Sequence, residues 1–403
     1  MTSLMSKAIW IINEYAGSPE YGLNFRHYYL AREFKRHGFH VTIISASFSH
    51  LLRKYPMTNG MFTREEIGGI PYIWVKVPHY SESNSPRRIL KWLAFSSKLL
   101  FLPELPKPQA VIASPTATFP IIPAYFLARK HKAKFVLEIR DIWPLSIVEL
   151  GKISKSHPLI LIMSYLEKFG IKKCNHLVSN LSNYDRYLKQ KGFTRHFEYI
   201  PNGVELDEVT NGRPLNETCK SLLPKEGFVV GYAGSIGCAN ALQYLVLAAQ
   251  DLYNQDIKIV VVGDGQEKEK LRHMAKNLDH VYLLPSIPKE EVQELLKRFD
   301  ICYIGWNDFK MYDYGIAANK LFEYMFAAKP ILSSCNNHTD IVEKTGCGMT
   351  VEAENPQSIA QGIMKMYEMP QEKRFKMGLK GKEYVLKHHL YSKLADDYVK
   401  LLE

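Results

Sequence analysis

The 403-residue sequence lacks several features that would place it in a common class of protein. No run of about 18 apolar residues occurs, so we expect no membrane-spanning helix. Six scattered cysteines form no C-x-x-C pair, which argues against zinc and predicts reduced thiols. The opening MTSLMSKAIWIINEY has no signal-peptide architecture, so we expect a cytoplasmic protein. Without a His-rich or Asp-x-Asp cluster, we expect neither a metal nor a cofactor.

Acidic residues are scarce in the first half of the chain. Up to Asn202 there are 28 Lys and Arg against 13 Asp and Glu, a net charge of +15, whereas the whole chain carries +11. A basic body attracts nucleic acid, anionic lipid or phosphorylated substrates. An ordinary solubilising surface is the alternative explanation.

Short apolar runs alternate with amphipathic stretches along the whole chain. In the first half, strands are predicted at 8–12, 40–45, 72–77, 110–114, 134–140 and 176–180, with helices over 22–37, 119–131 and 158–173. In the second half, strands are predicted at 228–234, 257–263, 280–286, 300–306 and 329–334, with helices over 240–254, 267–277, 289–298, 319–328, 356–368 and 371–387. This alternation predicts an α/β protein with two doubly wound, Rossmann-like domains.

The predicted domains meet near residues 199–209, where Pro201 and Gly203 interrupt the pattern. We predict an N-terminal domain over 1–200 and a C-terminal domain over 201–387, with a helix at 388–403 that packs back on the first domain. Ligands of open parallel sheets bind beyond the carboxyl ends of the strands. Two such sheets facing each other would form a cleft lined by these loops.

The most informative stretch is GIAANKLFEYMFAAKP at 315–330, where a flexible segment leads into a helix. A helix N-terminus with its unpaired N–H groups attracts phosphate, and Lys320 adds a full charge there. Glu323 can accept hydrogen bonds from sugar hydroxyls. Phosphate and hydroxyls together are what a nucleotide-sugar offers. The alternative is an ordinary amphipathic helix on which Lys320 and Glu323 form a surface pair.

Four loops with glycines follow predicted strands, at 17–22, 202–203, 231–237 and 263–265. Glycine lets backbone N–H groups approach a phosphate closely, although a plain turn or hinge explains each loop equally well. The G-x-x-G-x-x-G spacing at 231–237 also suits an NAD(P)-dependent oxidoreductase. The Tyr-x-x-x-Lys pair expected downstream in that class is not found there, and Tyr187 and Lys191 form such a pair upstream.

Two further segments are candidates for the part of the protein that meets a second, acceptor substrate. In EIRDIWPLS (138–146), Asp141 either contacts a substrate hydroxyl or fixes the loop by pairing or helix capping. In PRRILKWLAFSSKLLFLPELP (86–106), basic residues share one side of a helix and apolar residues cover the rest. We expect this helix to lie on an anionic membrane surface, although a helix covering the sheet is the alternative. The predicted membrane residues are Arg87, Arg88, Lys91, Trp92 and Lys98.

These pieces together resemble bacterial glycosyltransferase family 4, in the branch that makes O-antigen and capsule glycans. The resemblance extends over nearly the whole chain. Its pieces are the loop at 17–22, RDIWP (140–144), IPNGV (200–204), YAGSIG (232–237), VVGDG (261–265) and the most specific one, NKLFEYMFAAKPIL (319–332). It implies a GT-B fold and a metal-independent transfer with retention of configuration. The implied donor is a nucleotide-sugar, with a UDP-sugar as the first candidate, and it is held mainly by the C-terminal domain.

The resemblance also implies roles for particular residues. Glu323 matches the second acid of the family's E-x7-E motif, which binds the donor ribose, and Lys320 matches a residue near the diphosphate. The first acid of that motif is replaced by Gly315, and Cys238, Ala239 and Asn240 stand where many members have Arg and Lys. The predicted catalytic residues are Asp141, Lys320 and Glu323. The predicted donor-binding residues are Gly17, Tyr21, Gly22, Asn202, Gly203, Gly234, Ser235, Gly237, Gly263, Gly265, Pro285, Gly315, Ile316, Ala317, Asn319, Lys320 and Glu323.

The sequence thus predicts a hexosyl- or N-acetylhexosaminyltransferase of bacterial surface polysaccharide synthesis, in the pathways of lipopolysaccharide, O-antigen or capsule. The implied acceptor is a glycan on undecaprenyl diphosphate, reached by a peripheral protein at the inner face of the plasma membrane. Nucleic acid is not an expected partner. A non-catalytic subunit that binds nucleotide-sugar or glycan is the main alternative, and an NAD(P)-dependent oxidoreductase is a weaker one.

Overall fold

The computed structural model describes residues 7–80, 85–151, 153–336 and 340–403. The chain forms two compact units. The N-unit comprises the chain up to Pro201 together with Tyr314–Ala317 and Tyr391–Glu403. The C-unit comprises Asn202–Asp313 and Ala318–Leu390. No helix among the described residues is long and apolar enough to cross a membrane.

The N-unit is built on an eight-stranded sheet. In spatial order its strands are Phe62–Ile67, Ile70–Val75, His40–Ala46, Ala8–Ile12, Pro108–Ala113, Lys134–Ile139, His176–Ser179 and Glu198–Tyr199. The first two strands pair antiparallel as a hairpin and the remaining pairs are parallel. The helices are Arg26–Arg36, Arg87–Lys98, Ile121–His131, Leu145–Gly151, Pro158–Lys173, Tyr184–Gln190 and Tyr391–Leu402, and Leu99–Phe101 is a 3-10 turn.

Both faces of the N-unit sheet are buried, because side chains of successive strand residues point to opposite faces. Trp10 and Ile12 pack on one face with residues of the helices Arg87–Lys98 and Ile121–His131. Ile9 and Ile11 pack on the other face with residues of Arg26–Arg36 and of the C-terminal helix. The long apolar strand runs in the sequence follow from this two-sided burial.

The C-unit is built on a six-stranded sheet in which every pair is parallel. In spatial order its strands are Val281–Leu284, Ile257–Val262, Phe228–Ala233, Ile301–Gly305, Ile331–Ser334 and Gly348–Val351. The helices are Leu206–Thr210, Glu217–Leu222, Leu242–Ala248, Lys268–Met274, Val292–Lys297, Asn319–Phe326, Ile341–Thr345, Pro356–Tyr367 and Gln371–His388. Short 3-10 turns occur at Cys238–Asn240, Ala249–Leu252 and Lys289–Glu291, and a further one, Lys310–Tyr314, ends at the first residue of the N-unit segment.

The predicted α/β class with two doubly wound sheets is confirmed. The strand Phe62–Ile67 was missed because its sequence, FTREEI, is mostly charged or polar and gives no apolar run. The helix predicted over 22–37 begins later, at Arg26, because Gly17 to Asn24 form a closed turn. The backbone N–H of Gly17 donates to Asn24 O at 3.0 Å, and that of Gly22 donates to Ser18 O at 2.8 Å.

A buried carboxylate joins distant segments of the N-unit. Glu138 accepts hydrogen bonds from Arg26 (Nε at 3.0 Å, Nη2 at 2.8 Å), from His27 Nε2 at 3.0 Å, and from the hydroxyls of Ser114 and Tyr398. The side chains of Arg26 and Glu138 are both fully inaccessible. Burial alone would raise the pKa of Glu138, but Arg26, His27 and Arg140 outweigh it and hold the pKa well below its ordinary value. Through Tyr398 the C-terminal helix is fixed to the sheet.

We expect Glu138→Ala to destabilise the N-unit by about 3–5 kcal/mol, because it leaves the Arg26 charge buried without its partner. Urea unfolding followed by tryptophan fluorescence reports mainly on this unit, which holds four of the five tryptophans. The control in the same unit is Lys189→Ala, which removes an exposed i,i+4 pair with Asp185 and should change stability by less than about 0.5 kcal/mol. Equal unfolding midpoints for the two variants would contradict this role of Glu138.

Candidate functional site

The carboxyl edge of the C-unit sheet carries two loops that pack directly on each other. An ideal Cβ at Gly263 would lie 1.8 Å from Gly234 O, and one at Gly265 would lie 2.2 Å from Ile236 O. Neither position accepts any side chain, so these glycines permit a close approach of backbone to backbone. Gly234 N donates to Val262 O at 3.0 Å and Ile236 N to Asp264 O at 2.8 Å. These two N–H groups therefore hold the loops together and are not directed at a ligand.

Lys320 lies against this pair of loops. Its Nζ donates to Tyr232 Oη and to Asn240 Oδ1 and lies 4.4 Å from the centre of the Tyr232 ring. A Cβ at Gly234 would come within 3.2 Å of the Lys320 Cε, so the glycine leaves room for the lysine. Burial lowers the pKa of Lys320 to about 7, and Glu323 opposes this shift in part.

The helix Asn319–Phe326 sets the direction of Lys320. Its buried side chains are those of Leu321, Phe322, Tyr324, Met325 and Phe326. Tyr324 Oη donates to Ala233 O and accepts from Ala233 N, both at 2.9 Å, which docks the helix on the end of a central strand. Ala318 occupies the N-cap and offers no side-chain acceptor. The first-turn N–H groups of this helix are thus not capped by a side chain, which suits an anion.

Glu323 forms an ion pair with Lys289 from the turn Lys289–Glu291. Glu323 therefore pairs with Lys289 and not with Lys320, so the surface pair expected for an ordinary amphipathic helix is not formed. Tyr232, Asn240 and Lys289 were all missed by sequence reasoning. From the sequence, Asn240 was remarked on only because it replaces a basic residue. Its side-chain amide accepts from Lys320 through Oδ1 and donates to Ser235 O through Nδ2 at 3.0 Å.

The remaining predicted donor residues of the C-unit have more varied positions. Ser235, Pro285 and Asn319 are exposed at the same edge of the sheet. Asn202 is buried, its carbonyl accepts from His389 Nδ1 at 2.9 Å, and Val204 N donates to His389 O at 2.8 Å. These contacts tie the Asn202–Gly203 segment to His389, and any contact of Asn202 or Gly203 with a donor stays a prediction.

The predicted loop at 17–22 belongs to the N-unit. Tyr21 is buried, and its hydroxyl donates to Glu65 Oε1 at 2.7 Å. A Cβ at Gly17 would lie 2.0 Å from Gly22 O, so this glycine closes the turn. Any contact of Gly17, Tyr21 or Gly22 with a donor stays a prediction.

Steric constraints explain why position 315, where the E-x7-E motif of the family has its first acid, is a glycine. Gly315 has φ +115°, and an ideal Cβ there would lie 2.5 Å from Ser182 N. Tyr314 O accepts from Asn183 N at 3.0 Å, so the segment that also holds Ile316 and Ala317 is tied to the N-unit. Neither a glutamate nor any other side chain fits at position 315 without moving this segment.

Asp141 accepts hydrogen bonds on both carboxylate oxygens, from Ser146 Oγ and from Trp143 Nε1, the latter at 2.9 Å. It thereby fixes the loop that leads into the helix Leu145–Gly151. Arg140 does not pair with it, since Arg140 Nε donates to Ser114 Oγ at 2.9 Å. These side-chain contacts support a role of Asp141 in fixing the loop, and a direct role of Asp141 in catalysis stays a prediction.

The prediction that Lys91 and Trp92 face a membrane is wrong. Lys91 is 0% exposed, and its Nζ lies 3.6 Å from the centre of the Tyr15 ring. Trp92 is 4% exposed and donates to Tyr15 Oη at 3.1 Å. Burial lowers the pKa of Lys91 to about 7. Helical periodicity had placed Lys91 on a polar side, but that side packs on the end of the first strand.

The other basic residues of this helix remain nearer the surface. Arg87 is exposed, Lys98 donates to Lys76 O at 2.6 Å, and Arg88 lies 5.2 Å from the Trp92 ring. The apolar side chains exposed on this helix and the following turn are those of Leu90, Leu93, Leu100 and Phe101. The segment therefore covers the sheet with one side and presents an apolar surface with the other.

Comparison with known proteins decides the family. The family model for Glycosyltransferase Family 4 matches residues 22–208, and that for Glycosyl transferases group 1 matches residues 227–369. The chain belongs to glycosyltransferase family 4. This glycosyltransferase is similar to the putative colanic acid biosynthesis glycosyl transferase WcaI of Escherichia coli K12, at 22% identity over 280 residues, which are 66% of this chain and 67% of WcaI.

Solved structures show that the fold of this glycosyltransferase is GT-B, as predicted. Sucrose-phosphate synthase of Thermosynechococcus elongatus is similar with a TM-score of 0.72 at 14% identity, over 98% of both chains. HepE of Anabaena, solved in complex with UDP, gives 0.70 at 13% identity, over 98% of this chain and 99% of HepE. WaaG, a glycosyltransferase involved in lipopolysaccharide biosynthesis, gives 0.66 at 15%, over 98% and 99% of the two chains.

The oxidoreductase alternative has no support in the structure. Tyr187 is buried in the N-unit, where its hydroxyl donates to Glu167 at 2.9 Å, whereas the glycine loop at 231–237 belongs to the C-unit.

We expect the affinity for an anionic diphosphate diester to fall about tenfold between pH 6 and pH 8, because an anion binds the protonated form of a lysine whose pKa is near 7. Such a diester does not titrate in that range, so the change reports on the protein. Isothermal titration calorimetry measures it. Lys320→Ala should bind weakly at both pH values, and an unchanged slope in that variant would assign the titration to another group.

Proposed function

We propose that this glycosyltransferase takes its sugar from a nucleoside diphosphate sugar, a UDP-sugar first of all, and transfers it with retention of configuration. The observation that carries the proposal is the arrangement on the helix Asn319–Phe326. Lys320 stands at a terminus without a side-chain cap, and Glu323 stands one turn further along, held by Lys289. A cation at a helix terminus suits a diphosphate, and a neighbouring carboxylate suits the ribose hydroxyls. The bound UDP in the similar HepE supports this choice.

In the proposed reaction, the bond between the anomeric carbon and the phosphate oxygen breaks, and its electron pair stays on the diphosphate. The acceptor hydroxyl forms the new bond on the same face, and its proton passes to the departing phosphate oxygen. Lys320 and the helix terminus stabilise the negative charge that develops on the diphosphate. They supply the positive charge that a metal ion provides in other enzymes, so we propose that no metal is required.

Lys320→Ala should lower the turnover number by about 10²–10³, the usual loss when one donor to a developing anion is removed. UDP release from UDP-sugars in the presence of a lipid-linked acceptor measures it. Lys276→Ala removes an exposed lysine of the same unit and should leave turnover unchanged. Near-normal activity of Lys320→Ala would refute the assignment.

For the acceptor, we propose a glycan on undecaprenyl diphosphate, reached by a peripheral protein at the inner face of the plasma membrane. WcaI is named for colanic acid biosynthesis and WaaG for lipopolysaccharide biosynthesis, which supports a surface polysaccharide. The excess of basic residues before Asn202 supports attraction to anionic lipid. The exposed apolar side chains, with Leu90 at 56% and Phe101 at 69% exposure, supply a surface that can enter the headgroup region.

Liposome flotation tests this attachment. We expect binding that requires anionic lipid and fades with salt, and that is lost in the double variant Leu93→Glu, Phe101→Glu. The control Phe375→Glu changes a phenylalanine that is 59% exposed in the C-unit and should float like the unaltered protein. Equal flotation of all three proteins would contradict the proposed surface.

A second candidate is a non-catalytic subunit that binds nucleotide-sugar or glycan. The absent acid at Gly315 and the absent basic pair after YAGSIG favour it. Nucleotide-sugar binding without any turnover on lipid-linked acceptors would support this candidate, whereas transfer excludes it. A thermal-shift panel of UDP-, GDP- and dTDP-sugars identifies the donor in either case.

A further inference from the structure

The ion pair between Lys289 and Glu323 joins two segments that are 34 residues apart in sequence. The Lys289 ammonium is within hydrogen-bonding distance of Glu323 Oε1, and the two side chains are 28% and 16% exposed. Such a partly buried pair is less screened by water and salt than the exposed pairs on neighbouring helices. The pair therefore constrains the rotamer of Glu323.

The backbone that carries Lys289 is itself fixed. In the turn Lys289–Glu291, Glu290 O accepts from Arg213 N at 2.7 Å, and Glu291 Oε2 accepts from Asn216 Nδ2 at 2.7 Å. From the following helix, Gln293 Nε2 donates to the Glu323 carbonyl at 3.3 Å. The ammonium is thus delivered to a defined place beside the helix Asn319–Phe326.

Lys289 also keeps its charge near neutral pH. Burial alone would lower its pKa, but Glu323 and then Glu208 outweigh burial, and the pKa of Lys289 ends above its ordinary value. Lys320, on the same helix as Glu323, has a pKa of only about 7. Lys289 is therefore the lysine that pairs with the Glu323 carboxylate throughout the neutral pH range. Lys320 is then available to bind the phosphate of the proposed donor.

The pair leaves the carboxylate able to accept further hydrogen bonds. Within the described ranges, no donor contacts Glu323 Oε2, and a carboxylate has about four lone-pair positions. We propose that Lys289 is a positioning residue that orients Glu323 toward both hydroxyls of a ribose, so that the site selects ribonucleotides over 2′-deoxyribonucleotides. This inference rests on the proposed function, in which Glu323 receives the donor ribose.

The test measures, by calorimetry at pH 7, the affinity of the protein for UDP against that for dUDP and for GDP against that for dGDP. The comparison is made with whichever pair of nucleotides binds. The unaltered protein should prefer the ribonucleotide about tenfold or more, the usual contribution of one hydrogen bond to a charged group. Lys289→Met should reduce that preference to near unity by weakening the ribonucleotide more than the deoxyribonucleotide, because the deoxyribonucleotide has only the contact of its 3′-hydroxyl to lose. Lys289→Arg should retain most of the preference.

The matched control is Lys297→Met, which removes an exposed pair with Glu294 on the next helix and should keep the full preference. Lys289→Gln, judged folded by its thermal midpoint, replaces the methionine variant if that one does not fold. Retained preference in a folded variant, or an equal loss for both nucleotides, would overturn the positioning role and leave the proposed function standing. Failure of the unaltered protein to bind any of the four nucleotides would overturn the proposed function as well.

Discussion

The candidate site depends on the positive charge of Lys320, which lies where burial disfavours the charged form of a lysine. Lys320 lies among Tyr232, Asn240 and the backbone of Gly234, and its pKa is lowered to about 7. An ammonium in such a place gains more from an arriving anion than an exposed one does, because less water competes for it. The packed glycine loops and the docking of Tyr324 on Ala233 serve to hold this charge at the edge of the sheet.

Two departures from the family pattern have physical explanations, one in each unit. Asn240 stands where a base is common, and it accepts a hydrogen bond from Lys320 instead of adding a second charge. Gly315 stands where an acid is common, because a Cβ there would meet the backbone of Ser182. In the proposed function, the C-unit edge therefore relies on Lys320, Glu323 and the lysine that holds Glu323 to bind the donor.

The sequence alone predicted those features that depend on local pattern. Buried parallel strands such as Ile257–Val262 are continuous apolar runs, and the helix Asn319–Phe326 carries a clear apolar stripe, so both were found within a few residues. The Lys289–Glu323 pair was missed because it depends on how two separate segments pack. Lys91 was misassigned because periodicity shows on which side of a helix a residue lies, but not what covers that side. The contacts of Asp141 show that it fixes its loop, whereas the contact with a substrate hydroxyl that local sequence left equally open stays a prediction.

The most direct test of this account is a crystal structure of the protein with UDP. The account predicts a phosphate oxygen within hydrogen-bonding distance of Lys320 Nζ and the ribose hydroxyls on the carboxylate of Glu323, with Lys289 still paired to it. A diphosphate bound away from Lys320, or a ribose that makes no contact with Glu323, would contradict it.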